Sequence, residues 1–598
     1  LANGSTLDLD NILVKDDIAC ELSRLYMDWE IRRAPWVKEK AEIQRYVFAI
    51  DTTNTTNAAL PWKNTTHVPK LCQIRDNLFA NYMAALFPKS DWLEYIGADR
   101  SEQTKTKVDT IKAYMQLLIE RPEFKAEVSK MLYDFIDYGN VIAGVEWIDE
   151  TQTIKNKNTQ KIGFVGPVPK RYSPIDVLFN PIAPSFNRTG KFIRSQMTMG
   201  DFATQLAQET PADNQEASQK LLAYMRDLRI MTGRTAGTYD IKNEILNISG
   251  FTDYISYLRS NYVEVLTFYG DYYDIVSGTL HQNKIITIVD RHKLVSIVDN
   301  PSLLATDGLH HCGWRIRQDS LYAMGPLDNL VGMQYRIDHL ENLKADCFDL
   351  IAFPPLMIKG LVDDFKWGPM ERINVGEDGD VKLLSPDVNA LQANLEINNL
   401  MNLMEEMAGS PKEAAGFRTP GEKTMYEVQR LENAAARIFA TKILQFSVML
   451  EELLNDMLEM ARRKATSQTI RMFDSESSAV VFMDITTDDI SGTGRIRPMA
   501  ARNFAEKAER VQNINNFFQS TLGQDQDIKA HFSSIKLAEM FEDLLDIDQY
   551  DLVQPYIRLS EEAQAQRLQQ AGQEQTQMAA STPSGLTPED QPEDISLQ

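Results

Sequence analysis

Gly416 and Gly421, followed by Lys423 and Thr424, nearly spell a loop that cradles nucleotide phosphates. Such a loop needs its lysine directly after the last glycine, so that backbone N–H groups and the ammonium converge on the phosphates. Val480-Val481-Phe482-Met483-Asp484 could supply the strand-borne aspartate that supports magnesium. The register argues against this chemistry. Glu422 stands between glycine and lysine, adding negative charge where phosphate would sit, and Pro420 lacks an N–H. The loop also follows a helical pattern, Leu400 to Met407, where a strand should precede it. A P-loop NTPase is therefore the alternative reading and not the preferred one.

Metal and thiol chemistry find less support. Of the 7 histidines, His310 and His311 beside Cys312 come nearest to a cluster. Neighbours in an extended segment point to opposite faces, which argues against shared ligation. Cys20, Cys72, Cys312 and Cys347 are widely separated and give neither a disulfide framework nor ligand spacing. They are expected to be reduced and packed, as in a protein made in a cytoplasm. No catalytic residue, metal or cofactor is assigned.

The same loop has a better local role. Thr424 can cap a helix, with Glu427 as its capping-box partner three residues on. Apolar residues at 428, 431, 435, 438, 439, 443, 446, 450, 453, 457 and 461 then form one continuous face. A helix from Thr424 to about Lys464 would span roughly 60 Å. It lacks a strict seven-residue repeat, so packing across a large domain is expected in place of a coiled coil.

Before that loop lie two more helical patterns. Pro326 is placed to open the first, which runs through Leu327, Leu330, Val331, Ile337, Leu340 and Lys344 to Ile351. Phe353-Pro354-Pro355 stops it. A strand-like insert follows from Leu356 to about Ala390, with Met357-Ile358-Lys359 and Arg372-Ile373-Asn374-Val375 as short strands. The second pattern passes through Leu391, Leu395, Leu400, Met401, Met404 and Met407 to Ala408-Gly409. The plainest reading of this pair is an antiparallel helix hairpin inside an ordinary core.

The rest of the chain is α+β and helix-rich. Helical spacing marks Ile18 to Trp29, Leu71 to Leu86, Glu102 to Glu120 and Pro122 to Tyr138. Strands are expected at Asn140 to Trp147, Gly163 to Val168 and Asp176 to Phe179, and helix from Met199 to Met231. Val263 to Tyr269 and Ile285 to Val289 read as hairpin partners, as do Thr469 to Phe473 and Ala479 to Ile485. Two helices, Ala501 to Phe518 and Ile535 to Leu545, precede a Gln-, Ala- and Pro-rich tail.

Composition narrows the function classes. The 598 residues, 43% hydrophobic and 25% charged, suit a folded chain of several subdomains. No apolar run approaches the roughly 20 residues needed to span a bilayer, and Leu1 to Cys20 lacks a basic-then-apolar leader pattern. A net charge of −23 opposes tight binding of DNA across the whole surface. An acidic ring can still surround DNA where the task is passage and not retention.

Two helices around a small insert, then a loop, then a very long helix, resembles the portal proteins of tailed bacteriophages. The run Gly416-Phe417-Arg418-Thr419-Pro420-Gly421-Glu422-Lys423-Thr424 leading into Tyr426-Glu427-Val428 is similar to the loop-to-wing-helix junction of that family. So is Ile490-Ser491-Gly492-Thr493-Gly494-Arg495-Ile496-Arg497-Pro498. The resemblance implies a wing over 1–324, a first stem helix over 325–352, a clip over 353–390 and a second stem helix over 391–409. It implies a tunnel loop over 410–423 and a long wing helix over 424–464. Wing strands and a helix over 465–520, a C-terminal helical region over 521–570 and an acidic, disordered tail over 571–598 complete the division.

The implied function is a ring, a homododecamer, at one capsid vertex of the virion. It would form the channel for DNA packaging and genome ejection and join head to tail, without being an enzyme. Implied partners are double-stranded DNA, the major capsid protein, a scaffolding protein, the terminase and a tail adaptor, with no membrane. On that reading Lys412, Arg418 and Lys423 of the tunnel loop contact phosphates. Asp338, Glu341, Asp346, Asp349, Glu396, Glu405 and Glu406 are candidates for an acidic lumen that lets DNA slide. Asp363, Asp364, Lys366 and Trp367 are candidates for docking at the clip, where a Trp can anchor an interface.

Overall fold

The computed structural model describes residues 16–48, 64–87, 93–97, 102–154, 159–209, 215–232, 241–248, 250–251, 262–275, 278–302, 308–360, 379–383, 392–408, 425–464, 468–474, 479–485, 490 and 494–498. All belong to the first of two compact units, Leu1–Ala501. The helices expected at 501–518 and 535–545, and the tail, lie outside the described residues.

The chain opens with α1 (Asp16–Val47), α2 (Lys70–Leu86), β1 (Leu93–Gly97), α3 (Glu102–Ile119) and α4 (Pro122–Asp137). Pro122 starts α4, where its missing N–H would have had no partner. Then come β2 (Asn140–Ile154) and β3 (Thr159–Tyr172), a long hairpin. Gly139 lies at φ +69, and a Cβ there would sit 2.3 Å from the Gly325 nitrogen. Only glycine permits this crossing, which seats the start of β2 against the segment before the central helices.

Next are β4 (Val177–Phe179), β5 (Lys191–Thr198), α5 (Met199–Glu209), α6 (Gln215–Thr232), α7 (Ile241–Ile248), β6 (Tyr262–Asp274), β7 (Thr279–Val289), β8 (Lys293–Asp299) and β9 (Leu309–Gly313). The expected single helical stretch from Met199 is two helices. Strands β4 to β8 form one sheet in sequence order, and β9 joins the long hairpin in the order β3-β2-β9. Strand alternation gives the larger sheet two apolar faces. Leu266, Phe268, Ile286 and Ile288 pack with Ile18, Leu22 and Tyr26 of α1. Val263, Val265 and Val289 pack on the other side with Phe202, Leu206, Leu221 and Met225.

The central block is α8 (Val331–Ala352), β10 (Leu356–Lys359), β11 (Asp380–Leu383), α9 (Ala393–Ala408) and α10 (Met425–Lys464), a helix of 40 residues. It is followed by β12 (Gln468–Asp474), β13 (Ala479–Ile485) and β14 (Gly494–Pro498). Helix α8 begins later than Pro326 suggests. Leu327 and Leu330 are buried in the turn before it, and Asp328 accepts a hydrogen bond from the Gly325 N–H and pairs with buried Lys40. In the insert, Met357 to Lys359 pair with Asp380–Leu383; the other expected strand, Arg372 to Val375, lies outside the described residues.

Ile443, Phe446, Leu450, Leu453, Met457 and Ala461 of α10 are all buried. They join α2 to α4, β2 and the α8–α9 hairpin in the largest core. Every strand pairing among the described residues is antiparallel.

Candidate functional site

The α8–α9 hairpin is built on a polar stripe. Gln334, Asp338, Asn342 and Asp346 recur every four residues, which puts them along one side of α8. All four are buried. Against them lies the strap before α2, residues 64–69. Asn64 donates its backbone N–H to Asp346 Oδ1 at 2.9 Å, Thr66 to Asn342 Oδ1 at 2.7 Å and Val68 to Asp338 Oδ1 at 3.0 Å. The Leu71 N–H reaches Gln334 Oε1 at 3.2 Å, and Gln334 Nε2 donates to the Val68 carbonyl at 2.6 Å.

The geometry explains the spacing. Four helical residues rise about 6 Å and two extended residues advance about 6.6 Å, so alternate strap amides meet successive rungs. A strap without a sheet neighbour, whose inward amides are turned away from water, must find such partners, because orphaned backbone N–H groups are costly. Asn64 Nδ2 adds bonds to Asp346 Oδ1 at 2.9 Å and Asp349 Oδ2 at 2.8 Å. His67 stands between Asp338 Oδ2, 2.7 Å from Nδ1, and the Tyr46 carbonyl, 3.1 Å from Nε2.

On α9, Glu405 is buried and pairs with Lys70, whose ammonium also donates to Gln73 Oε1 at 2.9 Å. Three of the seven acidic candidates, Asp338, Asp346 and Glu405, are thus buried inside one chain and occupied there. Within this chain their carboxylates face those partners and not solvent. Glu341 pairs with Lys344 at 2.5 Å, Asp349 is an exposed rung of the ladder, and Glu396 and Glu406 are exposed on α9. Sequence reading missed Gln334 and Asn342 entirely. Their signal was two amides in step with two aspartates at four-residue spacing on one side of the helix.

Lys412, Arg418 and Lys423 of the loop, and Asp363, Asp364, Lys366 and Trp367 of the insert, lie outside the described residues. So does Thr424, the expected cap of α10. Asp484 sits on β13, opposite Thr469 in a two-stranded antiparallel ribbon.

The adjacent histidines of β9 do face opposite ways. His310 lies against α10, with Nε2 2.5 Å from Asp456 Oδ2 and Nδ1 3.1 Å from Glu452 Oε2. Burial opposes its charge, but hydrogen bonds to Asp456 and Glu452 and their charges outweigh that and raise its pKa to about 9. His311 stacks on Phe186 and bonds Asn140 Oδ1 at 3.1 Å. Its burial, with Lys191 nearby, lowers its pKa to about 4. Burial likewise pushes the Cys312 thiol up to about 12, so it is no thiolate nucleophile at neutral pH.

Among the described residues, no three or more His, Cys, Asp or Glu side chains are grouped to hold a metal ion. None of their helices is long and apolar enough to cross a membrane. No family model matches the chain, and no curated protein matches it.

Proposed function

We propose that this chain is the subunit of a tailed-bacteriophage portal, a homododecameric ring at one capsid vertex of the virion. The observation that carries the reading is the order of the central block. An antiparallel helix pair, Val331–Ala352 and Ala393–Ala408, is closed at one end by a two-stranded insert and followed by a helix of 40 residues. Such a hairpin can line a channel, with the insert at its far end for docking of the terminase and tail adaptor. The lumen acids on this reading come from Glu341, Asp349, Glu396 and Glu406, which repel phosphate and let duplex DNA slide. The tunnel loop brings Lys412, Arg418 and Lys423 to the DNA; the wing meets the major capsid and scaffolding proteins. The subunit carries no chemistry of its own, and it is made in the cytoplasm of a bacterial host.

A packaging-motor NTPase is the rival. P-loop folds rest on a parallel sheet fed by βαβ connections, whereas the described ladders are antiparallel and Asp484 sits on a two-stranded ribbon. Negative-stain microscopy and an ATPase assay on the purified chain separate the two readings. Rings with a central hole and no hydrolysis are expected. Turnover above background that disappears in Lys423→Ala would replace the portal with the motor.

A further inference from the structure

Each helix of the hairpin has a side turned away from the hairpin core, and the two sides differ. On α8, Tyr335, 40% exposed, and the half-buried His339, Leu343 and Cys347 follow at four-residue steps. At about 100° per residue they lie apart from the ladder and from Ile337 and Leu340, which face the hairpin core. On α9 the open side carries Leu395, 73% exposed, and Leu403, 44% exposed. Covering Leu395 and Leu403 with a partner removes apolar surface from water.

Charge says which partner. Arg336 is exposed beside the α8 stripe and Glu406 beside the α9 stripe, and neither has an ion-pair partner among the described residues. One stripe is basic and the other acidic, so each fits the other better than itself. That is the pattern of a head-to-tail contact between copies, which closes into a ring when the rotation allows.

The hairpin also supplies the register. Lys344 Nζ donates to Asn394 Oδ1 at 3.0 Å, so these residues stand at one height. At the other end, Gln334 and Glu405 hold the neighbouring residues Leu71 and Lys70. Leu343 therefore lies within about a turn of the level of Leu395, and Tyr335 of that of Leu403. Arg336 lies about one turn from the level of Glu406, within reach of a long side chain. Rotation about an axis running along the helices keeps every height unchanged, so the same levels meet across a boundary between copies.

We propose that α8 of one copy packs along α9 of the next, with Leu343 on Leu395, Tyr335 on Leu403 and Arg336 paired with Glu406. This rests on the ring reading and gives it a specific boundary. Glu406 then leaves the set of lumen carboxylates.

The test is a charge swap in the full chain, read by negative-stain microscopy and sedimentation over a range of protein concentration. Arg336→Glu and Glu406→Arg should each raise the concentration needed for ring formation at least about tenfold, as expected for losing an interfacial charge pair and gaining a like-charge one. The double variant should bring it back to within about threefold of the native value. Both positions are exposed, so thermal melting of the unassembled chain should stay unchanged and exclude misfolding. Rings in either single variant at native concentration, or no recovery in the double variant, overturn the pairing while leaving the ring itself standing. A native chain that stays monomeric overturns both.

Discussion

His310 shows how a buried charge is held at the level of single residues. Its ring is buried and lies between Asp456 and Glu452 of α10, so it ties β9 to the long helix as an imidazolium. With a pKa of about 9 when folded against about 6.5 when unfolded, the folded chain holds the proton more tightly. The stability this adds is fully present below pH 6.5 and is lost as pH rises through about 9. The amount is on the order of 3 kcal/mol. Native chain and His310→Asn, melted between pH 6 and pH 9.5, should differ most at the acid end and converge toward the alkaline end. A gap that stays constant with pH would show that His310 acts through packing alone. The sequence drew attention to this pair only as a weak metal candidate, because Asp456 lies 146 residues from His310 and no local spacing reports it. Asp338 misleads in the opposite way. A four-residue step of polar groups reads as a solvated face, yet it grips a strap 270 residues earlier in the chain.

At the scale of elements, what could be read followed from periodicity. The face of α10 was legible because Ile443 to Ala461 repeats at the helical period, and each of those positions is buried. The β6–β7 hairpin was legible from two β-branched runs around a glycine-containing turn. The partnership of β1 with β14 was not, since Leu93–Gly97 and Gly494–Pro498 lie some four hundred residues apart and neither is long. Gly494 records why that pairing needs its own sequence. It stands opposite Gly97, and a Cβ there would come 2.5 Å from the Ile96 carbonyl oxygen and 2.6 Å from the Tyr95 ring. The backbone oxygen cannot swing aside as a flexible side chain would. Gly494→Ala should therefore cost about 1–3 kcal/mol, the usual range for overpacking. It should also raise hydrogen exchange at Tyr95 and Ile496 before it affects α10. An unchanged melting temperature would mean that the ribbon yields at no cost.

For the whole molecule, the decisive quantity is charge. On the ring reading, a chain of net charge −23 around DNA would repel it nearly everywhere, so the few cations that reach the duplex would carry a disproportionate effect. The segment joining Ala408 of α9 to Met425 of α10 holds Lys412, Arg418 and Lys423. Its sequence told which residues could touch phosphate, but composition alone could not tell whether a ring exists to present them. Replacing all three by Ala makes each copy three charges more negative without removing any residue from the described core. Rings should form as before, because Ile397, Met404 and Ala408 of α9 and Ile443 to Ala461 of α10 join one core through side chains that the substitutions leave in place. DNA handling should change. Each phosphate contact that releases a counterion weakens with salt, so native rings should hold DNA with a measurable salt dependence that the triple variant loses. The measurement is packaging and retention of DNA by particles assembled with either protein, from about 50 to 200 mM salt. Normal packaging and retention by the triple variant across that range would remove the loop from contact with DNA, while a collapse of the rings themselves would make these lysines and arginine assembly residues instead.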